Sequence, residues 1–207
     1  MAKKIRDISK DVISNQNLDY IDEQVRQDVA YGDETRLITN CLKRFPENTD
    51  IEIVAMKIGL IDITNSTHIS QHKSKINAYD LAKHIISIPN IDERIKNGDP
   101  SVVNEIAKCN GKINLFSFAS KYCCYHNHDI YEHDDYSILD TVLAQYLPLY
   151  FKGKVKKAHI EKWRQNFMYE KYNGFITQML DELNITTEFR RRKFDHFIWF
   201  LNRKIVG

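Results

Sequence analysis

The residues best suited to chemistry gather between positions 115 and 146, in LFSFASKYCCYHNHDIYEHDDYSILDTVLAQY. An aromatic-rich apolar run reads as a buried helix, followed by a polar connection and a second helix that opens just after Asp140. A carboxylate at the mouth of a helix, beside apolar residues and a His/Tyr-rich segment, can stabilise positive charge that develops during a reaction. The same side chain would serve as an ordinary N-cap, worth about 1 kcal/mol. The two roles are compatible.

Other candidates surround this acid. A tetrad of small polar residues, Thr64-Asn65-Ser66-Thr67, follows an apolar helix, the way a rigid scaffold presents hydrogen-bonding groups to a ligand. Cys123, Cys124, His126, His128 and His133 lack the paired spacing of a zinc site, so no metal and no cofactor is expected. The cysteines read as core and the histidines as part of a solvated or nucleic-acid-facing loop. Tyr122 and Tyr125, three residues apart, read as core, whereas Tyr131 and Tyr136 are the freer pair and could stack on a base. Arg190, Arg191 and Arg192, with Lys152, Lys154, Lys156 and Lys157, offer positive charge for phosphates. The arginine run follows Thr186-Thr187-Glu188 at a helix start, where positive charge is unfavourable. A local rule broken without structural gain points to binding.

The scaffold that must position these groups reads as helical throughout. Apolar residues at three- and four-residue steps predict helices over 5–15 and 18–31, and Gly32-Asp33 ends the second and opens a third. Thr49-Asp50-Ile51-Glu52 matches a capping box, with Thr49 as the cap of a helix from Ile51 to about Ile63 that is apolar on nearly every face and so predicted central. Asn110-Gly111-Lys112 makes a tight turn into the aromatic helix. Residues 157–183 read as a long helix interrupted or bent near Asn173-Gly174, and a last helix carries Phe189, Phe194, Phe197, Ile198 and Leu201, with Trp163 and Trp199 as core anchors. No strand alternation is evident, and the class is all-α with roughly nine to eleven helices.

A chain of 207 residues with 43% hydrophobic content supports one well-buried core. Seven glycines and four prolines disfavour a turn-rich sheet protein. The net charge of +2 excludes a polybasic nucleic-acid binder, so any such contact must come from local patches. Four cysteines without a disulfide-like spacing, an N-terminus without an apolar leader and no membrane-length apolar run predict a cytoplasmic, non-membrane protein.

The order of these features resembles the helix-hairpin-helix DNA glycosylase superfamily, closest to its 8-oxoguanine branch. The resemblance rests on the helix ending in a polar tetrad (LIDITNSTHIS), the turn (CNGKI), the aromatic helix (NLFSFASKYCCYH) and the acid before a helix (ILDTVLAQYL), with a closing helix (FDHFIWFLN). It implies one domain over 1–207, with helices of 1–48 packed on a glycosylase-like core over 49–207. It implies that Asp140 is the catalytic carboxylate, and that Thr64, Asn65 and Ser66 lie beside an extruded nucleotide. Two departures stand out. The family hairpin has two glycines separated by one residue, with amides turned toward a phosphate, whereas only Gly111 is present here. The family's lyase lysine begins the following helix, where this chain has Leu115; Lys121, nineteen residues before Asp140, and Lys112 are the alternatives.

The expected function is therefore a monomeric protein that binds double-stranded DNA and hydrolyses the N-glycosidic bond of a damaged or modified base. His126, His128, Tyr136, Arg190 and Arg191 join the tetrad and Gly111 as DNA- or base-contacting groups. The alternative is a non-catalytic helical module for nucleic acid or protein on a degenerate glycosylase scaffold.

Overall fold

A computed structural model describes residues 7–206 apart from 30, 66, 68, 73 and 74. The described residues form eleven α-helices and one 3₁₀ turn, with no strand. In chain order the helices are α1 (Asn15–Gln27), α2 (Tyr31–Arg44), α3 (Ile51–Asn65), α4 (Ala78–Ser87), α5 (Ile91–Lys96), α6 (Ser101–Lys108), α7 (Phe116–Tyr131), α8 (Thr141–Tyr150), α9 (Lys157–Gln165), α10 (Tyr169–Glu182) and α11 (Arg190–Val206). Among the described residues no helix is long and apolar enough to cross a membrane.

The central helix is α7, not α3. Phe116, Phe118, Ala119, Tyr122, Cys123 and Tyr125 are all buried, and α2, α3, α5 and α6 pack around them. By contrast α3 exposes Met56 and Ile63, because its apolar residues exceed what its contacts with α2, α4 and α7 can cover. Asp50, not Thr49, caps α3 by accepting the amide hydrogens of Glu52 (2.8 Å) and Ile53 (3.1 Å).

Three further boundaries differ from the periodicity. Residues 7–14 are not helical, since Ser14 caps α1 by accepting the Asn17 amide. Gly32 and Asp33 lie in the first turn of α2, where a Cβ on Gly32 would meet the Arg26 carbonyl oxygen at 2.3 Å. The break after α9 falls at 166–168, with Phe167 at φ 52°, so Asn173 and Gly174 are interior to α10.

Chain ends meet through α1 and α11, which pack along each other. Asn15 Oδ1 accepts the amides of Thr186 and Thr187, and Lys193 pairs with Asp19 at 2.8 Å. Buried between them, Asp22 accepts a 2.6 Å bond from His196 Nδ1. Burial opposes ionisation of Asp22, but His196 and Arg26 outweigh it and hold the carboxyl at about 2.

His126 is fully enclosed in α7, stacked on Tyr122 at 4.1 Å, with Nδ1 donating to the Tyr122 carbonyl. Burial, helped by the nearby Lys57 ammonium, drives its value down from 6.5 to about 3. The unfolded chain therefore takes up this proton first as pH falls. The associated stability is present above 6.5 and is lost as pH drops toward 3. Replacing the ring by His126→Phe should reduce the slope of unfolding free energy against pH in this window by up to one proton, measured by urea denaturation at successive pH values.

Candidate functional site

The floor of the candidate site is built by α7 and the segment 132–140 that follows it. This connector is deeply placed, so its backbone polar groups need partners from side chains. Ser120 Oγ accepts the Leu139 amide (3.1 Å), and Asn127 Oδ1 accepts the Asp135 amide (3.0 Å). From α10, Tyr169 accepts the Ser137 amide and donates to its carbonyl, and Tyr172 donates to the Ile138 carbonyl. Gly98 allows the close approach of Asp135, whose Cβ would lie 2.7 Å from any Cβ placed there. The connector is thereby fixed along its length, and its last residue is Asp140.

Asp140 divides its carboxylate between two tasks. One oxygen caps α8 by accepting the Leu143 amide at 3.0 Å. The other lies 3.6 Å from Lys121 Nζ, with side-chain exposures of 14% and 7% respectively. The Lys121 ammonium also donates to the Asn65 carbonyl at 3.2 Å. Asn65 in turn accepts from the Tyr125 hydroxyl (2.8 Å) and donates to Thr64 Oγ1 (2.9 Å). The end of α3, the middle of α7 and the start of α8 therefore converge on one ammonium–carboxylate pair.

This pair borders a cavity of about 370 Å³, lined also by Ser117, Tyr31, Trp199 and Asp195. Ser117 and Lys121, four residues apart on α7, share a helix face. Tyr31 and Trp199 lie ring against ring, with centroids 4.1 Å apart. Asp195 is buried and paired with Arg192 at 3.2 Å. Burial holds its carboxyl well above the ordinary carboxylate range and Asp140 pushes the same way, while Arg192 and Lys121 pull it down.

Of the residues singled out from sequence, Thr64, Asn65, Lys121 and Asp140 come together at this cavity. Ser66 lies outside the described residues. Lys112 and Gly111 sit in an exposed turn; the Gly111 amide donates to the Lys108 carbonyl and the Lys112 amide to Asn110 Oδ1, so neither is turned outward. His126 and His128 belong to α7, not to a loop. His126 is core, and His128 lines a different cavity. Tyr136 is not free to stack, because it is buried with its hydroxyl on the Asp99 carbonyl at 2.9 Å.

The arginine run has a structural reason that the sequence hid. Asp134 accepts the backbone amides of Arg191 and Arg192 and so caps α11, bringing negative charge to the helix start. Arg190 pairs with Asp181, Arg191 donates to the Asp134 carbonyl and Thr177, and Arg192 is buried over the Tyr125 ring. Cys123 and Cys124 are buried thiols, the latter pushed up to about 12 by burial. Among the described residues no three His, Cys, Asp or Glu side chains come together as a metal site.

Asp195 and Tyr31 escaped the sequence reading, and Trp199, read there as a core anchor, also lines the cavity. A lone carboxylate within the apolar stripe FDHFIWF was the available signal for Asp195, with Trp199 one turn further along the same helix.

The fold and site thus define an all-helical protein with a buried lysine–aspartate pair at a polar cavity. The family HI_0787_N, described as an N-terminal domain, matches residues 8–130, more than half of the chain, and the chain belongs to that family. An uncharacterized protein of Haemophilus influenzae is 30% identical over 162 residues, covering 77% of this chain and 71% of its own length. No solved structure matches. The family match contains Lys121 and the end of α3 but stops ahead of Asp140 and Asp195.

Because Asp140 both caps α8 and faces the enclosed Lys121 ammonium, Asp140→Ala should destabilise the fold by roughly 3–5 kcal/mol, of which about 1 kcal/mol is the lost cap. Asp140→Asn, which keeps a capping oxygen but not the charge, should destabilise less than Asp140→Ala, by about 1 kcal/mol. Chemical denaturation of the two variants in parallel checks the difference.

Proposed function

We propose that this chain is a DNA-binding enzyme of the helix-hairpin-helix glycosylase type that excises a modified base, with Lys121 and Asp140 as its catalytic pair. The observation that carries the reading is their 3.6 Å approach, nineteen residues apart in sequence, at a cavity lined by Thr64 and Asn65. The order of elements supports it: a helix ending in polar residues, a tight turn, a buried helix and an aspartate opening the next.

In this reading the target nucleotide leaves the duplex, at an unstacking cost of a few kcal/mol. Its base enters the cavity, where Tyr31 and Trp199 offer aromatic faces. Asp140 takes a proton from Lys121 through the oxygen not used for capping. The freed amine attacks the sugar carbon as the glycosidic bond breaks, and the bonding pair leaves with the base, which collects the proton. Once that proton has passed from Asp140 to the departing base, the carboxylate again faces the positive charge on the sugar. Asp195, held toward its neutral form, is a candidate hydrogen-bond donor to the departing base. Compared with attack by water, the buried lysine gives strand cleavage a nucleophile at Lys121, whereas Lys112 is exposed in the turn.

Phosphate contacts fall to the basic surface around that turn, not to the arginines of α11. Asn110 holds the Lys75 carbonyl and Asn114 the Arg164 carbonyl, which gathers the exposed Lys75, Lys108, Lys112 and Lys162 near the start of α7.

Release of modified bases from a panel of duplexes tests the proposal. Wild type should release at least one base, Lys121→Gln and Asp140→Asn should lose release by at least a hundredfold, and Lys112→Ala should retain it while its binding falls less steeply with salt, by about one unit of slope. No release from any duplex by wild type, or full release by Lys121→Gln, would contradict the assignment.

A further inference from the structure

Asn65, expected from the sequence beside an extruded nucleotide, is not free to reach into a duplex. Its Oδ1 accepts from the Tyr125 hydroxyl, its Nδ2 donates to Thr64 Oγ1, and its carbonyl accepts from Lys121. Thr64 is held too, with its hydroxyl donating to the Leu60 carbonyl at 2.8 Å. Both residues wall the cavity. Neither can occupy the space that a base vacates when it turns out of the stack.

The residue before them is different. Ile63 is 78% exposed, on the side of α3 opposite the buried Val54, Ile58 and Ile61 that anchor the helix. Asp62 fixes this helix end, since its Oδ1 accepts both the Thr67 hydroxyl (2.6 Å) and the Ile69 amide (2.8 Å) from the chain that follows. Ile63 also borders an apolar hollow of about 160 Å³, shared with Ile69 and Asn77. Asn77 caps α4, and two residues before it the Lys75 carbonyl is held by Asn110 of the basic turn. Ile63 therefore stands between the cavity assigned to the base and the lysines assigned to the phosphates.

A duplex that gives up one base keeps apolar ring faces around the empty place, and an apolar wedge such as isoleucine supports the unstacked geometry there. Burying an exposed isoleucine against those faces is favourable, whereas a polar side chain would lose water without gaining a partner. Met56, the other exposed apolar residue of α3, lies two turns back along the helix, about 10 Å from Ile63, so one step of the duplex admits one of them and not both.

We propose that Ile63 is the wedge of this protein: it enters the duplex, fills the place of the extruded nucleotide and keeps the base in the cavity beside Lys121 and Asp140. The wedge rests on the base-excision reading. To test it, the modified base that wild type releases fastest is placed in a fully paired duplex and in a bubble whose strands are already unpaired, and single-turnover release is followed on both. On the paired duplex Ile63→Ala should slow release about tenfold or more, Ile63→Leu should stay within about threefold of wild type, and Met56→Ala should match wild type. In the bubble Ile63→Ala should recover to within about threefold of wild type, because little stacking remains to be replaced. Ile63 is exposed, so Ile63→Ala should fold as wild type does. Full-rate release by Ile63→Ala from the paired duplex, an equal loss in the bubble, or an equal loss in Ile63→Leu or Met56→Ala would overturn the wedge and leave base excision standing. No release from any duplex by wild type would overturn both.

Discussion

The placement of one carboxylate organises the middle of this molecule. Asp140 is where the connector ends, where α8 begins and where Lys121 finds its counter-charge. An ammonium as enclosed as Lys121 is tolerable only with such partners, because removing a charge from water is costly unless it is paired and hydrogen-bonded. The Asn65 carbonyl supplies the second contact. Shifting any of the three helices that meet here would leave a buried charge incompletely matched, so the pair constrains α3, α7 and α8 together.

The polar residues enclosed in the core serve the same placement. Ser120, Asn127, Tyr169 and Tyr172 look out of keeping with their burial until the connector is traced past them. Each bonds to its backbone, so a segment without regular structure crosses the interior with the amides of 135, 137 and 139 and the carbonyls of 137 and 138 satisfied. Tyr122 and Lys57 play a parallel part at Asn48, whose side chain accepts from both and donates to Asp92. Burial lowers Lys57 to about 8. On the other side of the core, the buried Arg192 holds Asp195 beside the lysine–aspartate pair through one nitrogen.

Periodicity and capping chemistry made the helical class, the helix after Asp140 and the polar end of α3 readable from the chain, because these depend on neighbours within a few residues. The aromatic helix was legible as buried, yet α3 looked more central since its apolar residues are denser; neighbours, not composition, decide which helix is enclosed. Charge near the start of α11 was misread because its compensating group, Asp134, is 57 residues away from Arg191. Tyr136 could not be placed for the same reason, since its hydroxyl bonds the Asp99 carbonyl 37 residues away, whereas His126 was misplaced because α7 runs on to Tyr131 and stacks it on Tyr122 one turn back. The spacing of Lys121 and Asp140 was visible, but their meeting was not. It depends on a connector whose path is set by tyrosines from α10.

The function proposed above has Lys121 as the nucleophile on the sugar from which the base departs. Borohydride reduction during incubation with a damaged duplex, followed by peptide mapping of the cross-linked protein, tests it most directly. The account predicts a covalent DNA adduct on the peptide bearing Lys121, lost in Lys121→Gln and present in Lys112→Ala. An adduct mapped to Lys112, or base release without any trapped adduct, would contradict it.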